Sequence, residues 1–166
     1  MSISKPLLKQ ILSSVTLFFL LTNTTFAQLN LKTLPLKQLC SSTGATQVYL
    51  LSTPKERQHG FSDFKTRQPF INTGMYFQYP HPGRRRFWMP NTFFALDIIF
   101  LDATQQIVAI ERNVPYYPHP VSNRSKVPRT HTYYAKDVIE FPHGTKWVTN
   151  LKVGDKLSWC SKVNGL

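Results

Sequence analysis

Hydrophobic and polar positions alternate in short runs along most of the chain, which is the pattern of β-strands rather than of helices. Clusters of glycine, proline and small polar residues separate these runs and are typical of turns. Strands are predicted at residues 47–51, 74–79, 84–89, 96–101, 107–110, 133–141 and 156–160. The pattern predicts a mainly β fold (a β-rich α+β domain), with a compact curled sheet or barrel-like domain and one or two short helices.

One helix start is clearly marked. Thr53 can cap the helix, Pro54 suits its first position, and Glu56 follows the cap by three residues, which together make a capping box. Gly60 predicts that this helix is short. A second helical segment, of one or two turns, is predicted at residues 143–150.

The strands at residues 74–79 and 84–89 are separated by the turn sequence Pro-His-Pro-Gly, so they are predicted to pair as a hairpin. Residues 113–131 contain four prolines and no regular pattern. Such a long irregular segment is uncommon inside a compact domain and is often functional or mobile.

The first 27 residues have the pattern of a cleaved signal peptide. Lys5 and Lys9 make a basic start, residues 11–21 are mostly apolar, and small residues stand at positions 25 and 27. The apolar run is shorter than the roughly 20 residues of a membrane span, so no transmembrane helix is expected in the mature chain. We expect an exported protein, periplasmic or extracellular after cleavage near Ala27.

The rest of the chain is predicted to contain a leader at residues 28–45, a single β-rich domain at residues 46–160 and a tail at residues 161–166. This length supports one hydrophobic core and leaves little room for a second domain.

The chain is strongly basic, with 20 Lys+Arg against 8 Asp+Glu. Two of the lysines lie in the predicted signal peptide, which leaves 18 basic against 8 acidic residues, a net charge of +10. Export argues against nucleic acid as the partner and favours an anionic envelope polymer or a protein partner. A soluble basic protein with no specific anionic ligand is the simpler explanation of the charge, and we favour it on the charge alone.

The two cysteines, Cys40 and Cys160, lie at opposite ends of the predicted domain. In an exported protein such a pair predicts a disulfide. Two free buried thiols are the alternative.

Six motifs in order make the chain similar to a known family. They are Arg-x-x-Gly at 57–60, Gly-Met-x-Phe at 74–77, Phe-Trp-Met-x-Asn-Thr at 87–92, Leu-Asp-x-x-Phe at 96–100, a Val-Leu-Glu-like element at 138–140 and Gly-Asp at 154–155. This order resembles the bacterial and archaeal family called domain of unknown function 192, over about residues 48–159. Phe61 and Ser62 depart from the usual apolar-Met pair, and Pro90 replaces a usual basic residue. The resemblance implies a compact, barrel-like β-rich domain with a short helix, and no established reaction or cofactor.

Two carboxylates are the candidate catalytic groups. Asp97 lies among apolar neighbours, where a carboxylate must be paired or hydrogen-bonded. We favour a structural role in which Asp97 accepts hydrogen bonds from backbone N–H groups at the Asn91-Thr92 corner, over a role as a perturbed acid in a cleft. Glu140 could pair with Asp97 as the acid and base of a hydrolase, although Lys136 or an arginine is an equally good partner.

The candidate ligand-binding residues are basic, aromatic and polar. Arg86 and Trp88 share one side of a predicted strand, and an aromatic face beside a guanidinium can bind a sugar or an anion. The non-functional alternative is that Trp88 packs in the core. Arg86 would then belong to a charged strand edge that blocks pairing with another strand. The full candidate set is Arg86, Trp88, Asn91, Asp97, Tyr116 and Arg129.

No metal site or cofactor is expected. The five histidines are scattered without a His-x-His or His-Glu-x-x-His pattern, and no Gly-x-Ser-x-Gly or phosphate-binding glycine loop occurs.

Together these features favour a non-enzymatic envelope module that binds an anionic or sugar-like ligand, or a protein partner. The alternatives are a hydrolase-type enzyme using Asp97 and Glu140, and a structural or assembly protein.

Overall fold

The computed structural model describes residues 29–119 and 121–161, so the predicted signal peptide lies outside the described residues. Within these ranges the chain forms nine strands and two short α-helices, which confirms the mainly β prediction. The strands are β1 Leu36–Ser41, β2 Gly44–Leu51, β3 Thr73–Phe77, β4 Gly83–Arg85, β5 Leu96–Leu101, β6 Ile107–Val114, β7 Tyr133–Ala135, β8 Asp137–Pro142 and β9 Ser158–Trp159. The helices are α1 Pro54–His59 and α2 Lys146–Thr149.

Seven strands form one mixed sheet in the order β6-β5-β8-β3-β2-β1-β9, and β4 pairs with β7 in a small second sheet. All neighbours in the large sheet are antiparallel except β2 and β3, which are parallel. In the described part of the chain β6 and β9 are its two edges, so the sheet does not close into a barrel. An isolated antiparallel bridge joins Gln106, directly before β6, to Lys156, just before β9.

Several expectations about the strands were wrong in detail, and the strand predicted at residues 84–89 is only β4, which ends at Arg85. The expected hairpin does not form, because β3 lies between β2 and β8 while β4 pairs with β7. The predicted long strand at residues 133–141 breaks at Lys136, so that its first part joins the small sheet and its second part the large one. Residues 36–41, expected to belong to a leader, form β1, whose backbone pairs with β2 along its whole length.

The large sheet is covered on both faces. One cluster of buried side chains includes Met75, Phe77 and Ile98, and a second cluster includes Tyr76, Ile99 and Phe141. Since side chains alternate between the faces of a strand, these two clusters lie on opposite faces of the sheet. Every residue of β5 and β8 is buried.

The predicted capping box is confirmed at the start of α1. Thr53 Oγ1 accepts a hydrogen bond from the Glu56 N–H at 3.2 Å, and Glu56 Oε2 accepts one from the Thr53 N–H at 2.8 Å. Gly60 follows the last helical residue with φ of 50° and ψ of −131°, a conformation that favours glycine. α2, a single turn, confirms the second helical prediction.

The predicted disulfide between Cys40 and Cys160 is present. It joins β1 to the residue directly after β9, and these two strands are already neighbours in the sheet. Of the helices that the structure describes, none has the length and apolar character needed to cross a membrane.

Candidate functional site

A pocket of about 150 Å³ opens beside the C-terminal end of α1 and is called the Glu140 pocket below. Its floor belongs to β8, and its other walls come from the end of α1 and from the segment 86–90 that follows β4. Pockets for drug-sized ligands are typically about 300–1,000 Å³, so this pocket suits a small ligand or one group of a larger one. It is lined by Arg57, Gln58, His59, Gly60, Phe61, Ser62, Phe77, Tyr79, Arg86, Phe87, Trp88, Met89, Pro90, Thr92, Leu96 and Glu140.

Glu140 is the single carboxylic acid among these lining residues, and it is only 4% exposed. Its cross-strand neighbours are Met75 on β3 and Ile98 on β5, both apolar and fully buried. No described residue forms a hydrogen bond or ion pair with its carboxyl group. Burial therefore raises the pKa of Glu140 to about 8, and the pocket holds a mostly protonated carboxyl near neutral pH.

The carboxyl group of Glu140 is still reachable from the pocket. Among the described side chains, Arg85 Nε is the one polar atom that is both fully shielded from solvent and without a hydrogen-bond partner. The Glu140 oxygens, which also have no partner, are therefore not fully shielded. A Cβ built on Gly60 would lie 3.3 Å from Glu140 Oε2 and 3.0 Å from Phe77 Cζ. Gly60 thus lets the end of α1 approach the carboxyl, and a larger residue would crowd it.

Two arginines line the same pocket, and the backbone holds both. Arg57 Nη1 donates to the carbonyl oxygens of Ser52 and, at 2.9 Å, Gln78. Arg86 Nε donates to Thr130 O at 3.3 Å. In the described part of the chain neither guanidinium forms an ion pair, so each keeps N–H groups available for an anion.

Tyr79 and His59 complete the titratable groups of the pocket. Two guanidinium groups lie close to the Tyr79 ring: the Cζ atoms of Arg57 and Arg85 are 4.7 Å and 3.8 Å from its centroid. Burial lowers the pKa of His59, whose Nε2 accepts a hydrogen bond from the Leu29 N–H at 3.3 Å. His59 is therefore mostly neutral at neutral pH.

The segment 86–90 is held in place by the irregular segment 113–131. The Phe87 N–H donates to Thr130 Oγ1 at 3.0 Å, and the Met89 N–H donates to Pro128 O at 3.0 Å. Trp88 forms a backbone bridge with Arg129, and its side chain is 44% exposed. The irregular segment thus supports the wall of the pocket that carries Arg86 and Trp88.

Asp97 lies on the other face of the sheet. In the β5–β8 pairing Asp97 is opposite Phe141, whereas Glu140 is opposite Ile98, so the two carboxylates point to opposite sides. The acid–base pair predicted from the sequence is therefore not formed. Asp97 Oδ1 accepts hydrogen bonds from the Asn113 N–H at 2.9 Å and from His143 Nδ1 at 2.8 Å.

The structural role predicted for Asp97 thus involves different donors. We expected backbone N–H groups at the Asn91-Thr92 corner, but Asp97 bonds to the end of β6 instead. The Thr92 N–H at this corner donates instead to Tyr117 O, at 3.1 Å.

The remaining predicted ligand-binding residues do not line the Glu140 pocket. Asn91 has a positive φ of 50°, and its carbonyl accepts a hydrogen bond from the Asp63 N–H at 2.9 Å. Tyr116 is 58% exposed on the irregular segment. Arg129 donates to the carbonyl oxygens of Val127 and Arg124, in a supporting position.

From the sequence we named Arg86, Trp88 and Glu140, which line the pocket, under different hypotheses. We did not name Arg57 or Tyr79 as site residues, although they line the same pocket. Arg57 is the first residue of the Arg-x-x-Gly family motif, and this motif could have identified it from the sequence. No cluster of potential metal ligands occurs among the described residues.

The fold and the pocket define a small β-rich domain with a partly open mixed sheet. A family model matches residues 37–159, and the chain belongs to this family, domain of unknown function 192, described as "Uncharacterized ACR". No curated protein matches the chain.

Two crystal structures share the fold. One is a protein from Sinorhizobium meliloti 1021 named "putative transcription regulator", with a TM-score of 0.59, 23% identity, and coverage of 76% of this chain and 95% of that one. The other is a protein of unknown function from Novosphingobium aromaticivorans DSM 12444, with a TM-score of 0.60, 23% identity, and coverage of 76% and 85%.

The family motifs converge on the Glu140 pocket. Five of the six motifs each contribute at least one lining residue, namely Arg57 and Gly60, Phe77, the run from Phe87, Leu96 and Glu140. These motifs are far apart along the chain, so the pocket is the place where they meet.

Proposed function

We propose that this protein is an exported, non-enzymatic binding module, and that the Glu140 pocket takes a small ligand with an anionic group, such as an acidic sugar of the cell envelope. The convergence of the family motifs on this pocket is the observation that carries the proposal. Export rests on the signal-peptide pattern of the first 27 residues.

The electrostatics of the pocket support an anionic ligand. Arg57 and Arg86 both contribute positive charge to the pocket. Because burial raises the pKa of Glu140 to about 8, that carboxyl offsets little of this charge near neutral pH. Guanidinium groups suit carboxylates and phosphates, with which they can form two parallel hydrogen bonds.

The aromatic lining supports a sugar-like ligand. Trp88 is 44% exposed although it is large and apolar, and it lies beside Arg86 in the pocket wall. An exposed indole face gives a sugar ring an apolar surface to pack against, while nearby polar groups can bind its hydroxyls.

The alternative of a hydrolase with two carboxylates has weak support. A glycoside hydrolase of this type needs its two carboxyl groups about 5–10 Å apart on either side of the bond that is cleaved. Glu140 lines the pocket without a second acid, and Asp97 faces the opposite side of the sheet.

Calorimetric titration of the purified chain with galacturonate, glucose 6-phosphate and glucose tests the proposal. We expect the two anionic sugars to bind, and glucose to bind at least about tenfold more weakly, because it has no group for the arginines. Binding should weaken with added salt.

Arg86→Ala should weaken binding of the anionic sugars about tenfold. Arg84→Ala is the matched control, because Arg84 is an exposed residue of β4 that does not line the pocket. Equal binding of all three sugars, no binding at all, or equal effects of the two substitutions would contradict the proposal.

A further inference from the structure

Glu140 has no counter-charge in the pocket floor. It is 4% exposed, and the residues opposite it on both neighbouring strands, Met75 and Ile98, are apolar. A buried acid is normally paired or hydrogen-bonded within the protein, yet no described residue provides a partner for this one. The Glu140 carboxyl is therefore available to a group that enters the pocket.

The surroundings of Glu140 favour a cationic group over a second anion. Phe77, Phe87 and Trp88 line the same pocket, and aromatic faces attract ammonium groups. The arginines do not fill this role, because their guanidinium groups are bonded to backbone carbonyls away from the carboxyl. The pocket thus offers an acid at its floor and guanidinium groups on its walls.

We propose that the ligand of the Glu140 pocket is a small zwitterion, whose protonated amino group binds the Glu140 carboxylate while its acidic group binds Arg57 and Arg86. This inference rests on the proposed function and narrows its ligand class. A hydroxyl in place of the amino group would bring no positive charge, so Glu140 would keep its proton.

Binding of an ammonium group requires the ionised form of Glu140. Burial raises the pKa of that carboxyl to about 8, so the ligand must displace a proton into solvent. The other titratable or charged groups that line the pocket are Arg57 and His59 on α1, Tyr79 after β3 and Arg86 after β4. Burial lowers the pKa of His59 and raises that of Tyr79, so neither titrates in the range where Glu140 does.

The test uses two probes that differ in one group, 2-aminoethyl phosphate and 2-hydroxyethyl phosphate. Calorimetry at about pH 7 in buffers of different ionisation enthalpy should show release of nearly one proton per molecule of the amino probe, and none for the hydroxyl probe. Between about pH 7 and pH 8.5 binding of the amino probe should tighten about eightfold, as a carboxyl with a pKa of about 8 ionises. Over the same range binding of the hydroxyl probe should not tighten, because this probe brings no positive charge that favours the ionised carboxyl.

Glu140→Gln keeps the size of the side chain and removes its ionisation. This variant should bind both probes with similar affinity and lose the pH dependence for the amino probe. Arg84→Ala, outside the pocket, should keep the wild-type proton release and pH dependence for the amino probe. Binding to phosphatidylethanolamine vesicles is compared with binding of the free amino probe. This comparison shows whether the zwitterionic group is recognised on a lipid surface or in a small molecule.

The outcomes separate the two proposals. If the hydroxyl probe binds as tightly as the amino probe and depends on Arg86, the anion-binding function stands and the zwitterion inference is wrong. If the amino probe binds without releasing a proton, the inference is also wrong, whatever the behaviour of Glu140→Gln. If neither probe binds, the zwitterion inference is overturned, and the sugar titrations decide the proposed function separately.

Discussion

The carboxylate of Asp97 accepts a hydrogen bond from His143 Nδ1 at 2.8 Å, on the face of the sheet opposite to Glu140. The same oxygen accepts the Asn113 N–H at 2.9 Å, so one buried carboxylate connects the ends of β5, β6 and β8. The sequence presents Asp97 and Glu140 as similar acids, but one is bonded within the fold and the other faces a pocket.

Asp97→Ala should therefore destabilise the protein by about 2–4 kcal/mol, because it leaves a backbone N–H without its acceptor and removes a charge-assisted bond. His143→Ala should cost less, at most about 1 kcal/mol, because the His143 side chain is 45% exposed and Asp97 keeps its backbone donor. Urea denaturation of both variants checks the order. An equal loss in the two variants would mean that the backbone bond contributes little.

Glu140 should make stability fall with rising pH. Its pKa is about 8 in the folded protein against an ordinary value of 4.5 in the unfolded chain, so the folded state binds this proton more tightly. The resulting cost is absent below about pH 4.5 and complete above about pH 8, and it amounts to at most about 3 kcal/mol at pH 7. Glu140→Gln should remove this pH dependence and stabilise the protein at pH 7 to 9 in urea denaturation.

Glu111 provides a control of opposite sign for this measurement. Partial burial alone would raise its pKa, but hydrogen bonds from His131 and Tyr133 hold the pKa of Glu111 below its ordinary value. Glu111→Gln should therefore lower stability at neutral pH and leave the Glu140 transition unchanged. A wild-type stability that does not fall between pH 5 and pH 8 would contradict the burial of an unpaired carboxyl at Glu140.

Gly60→Ala should affect both folding and the pocket. Its φ of 50° and ψ of −131° disfavour any other residue, and an added Cβ would lie 3.0 Å from Phe77 Cζ. We expect a loss of about 2–3 kcal/mol in the free energy of unfolding and weaker ligand binding. Gly144→Ala is the matched control, because Gly144 also has a positive φ but an added Cβ meets no atom within 4 Å. Similar losses in both variants would show that the contact with Phe77 is unimportant.

The Cys40–Cys160 disulfide should contribute about 4–5 kcal/mol to stability, because it closes a loop of 120 residues and restricts the unfolded chain. The double substitution Cys40→Ala with Cys160→Ala should lower the urea midpoint, and a reducing agent should do the same to the wild type alone. Alkylation without reductant should add no mass to the wild type. Alkylation of both cysteines under those conditions would show that the bond is absent.

Local sequence signals predicted several elements correctly. The capping box at Thr53 and Glu56 needs only residues within one turn, so its pattern is complete in the sequence. The strands β2, β3 and β5 follow from runs of β-branched, aliphatic and aromatic residues bounded by turns. With two cysteines there is one possible intramolecular pair, and the family followed from six motifs in order.

The strand pairing could not be obtained in this way. Residues 74–79 and 84–89 looked like a hairpin because they are close in sequence, but β3 pairs with β2 and β8 instead. Such partners are set by long-range burial of both faces of the sheet, which a short turn sequence does not encode.

By itself the sequence thus determined the strand-rich composition, the capped helix, the disulfide and the family. Only the tertiary structure decided the roles of Asp97 and Glu140. Every residue of β5 and β8 is buried, so alternation of polar and apolar residues could not tell the two faces apart. The register that puts Ile98 opposite Glu140 sends the two acids to opposite sides, and the packing of α1 and the segment 86–90 over β8 turns Glu140 into the floor of a pocket.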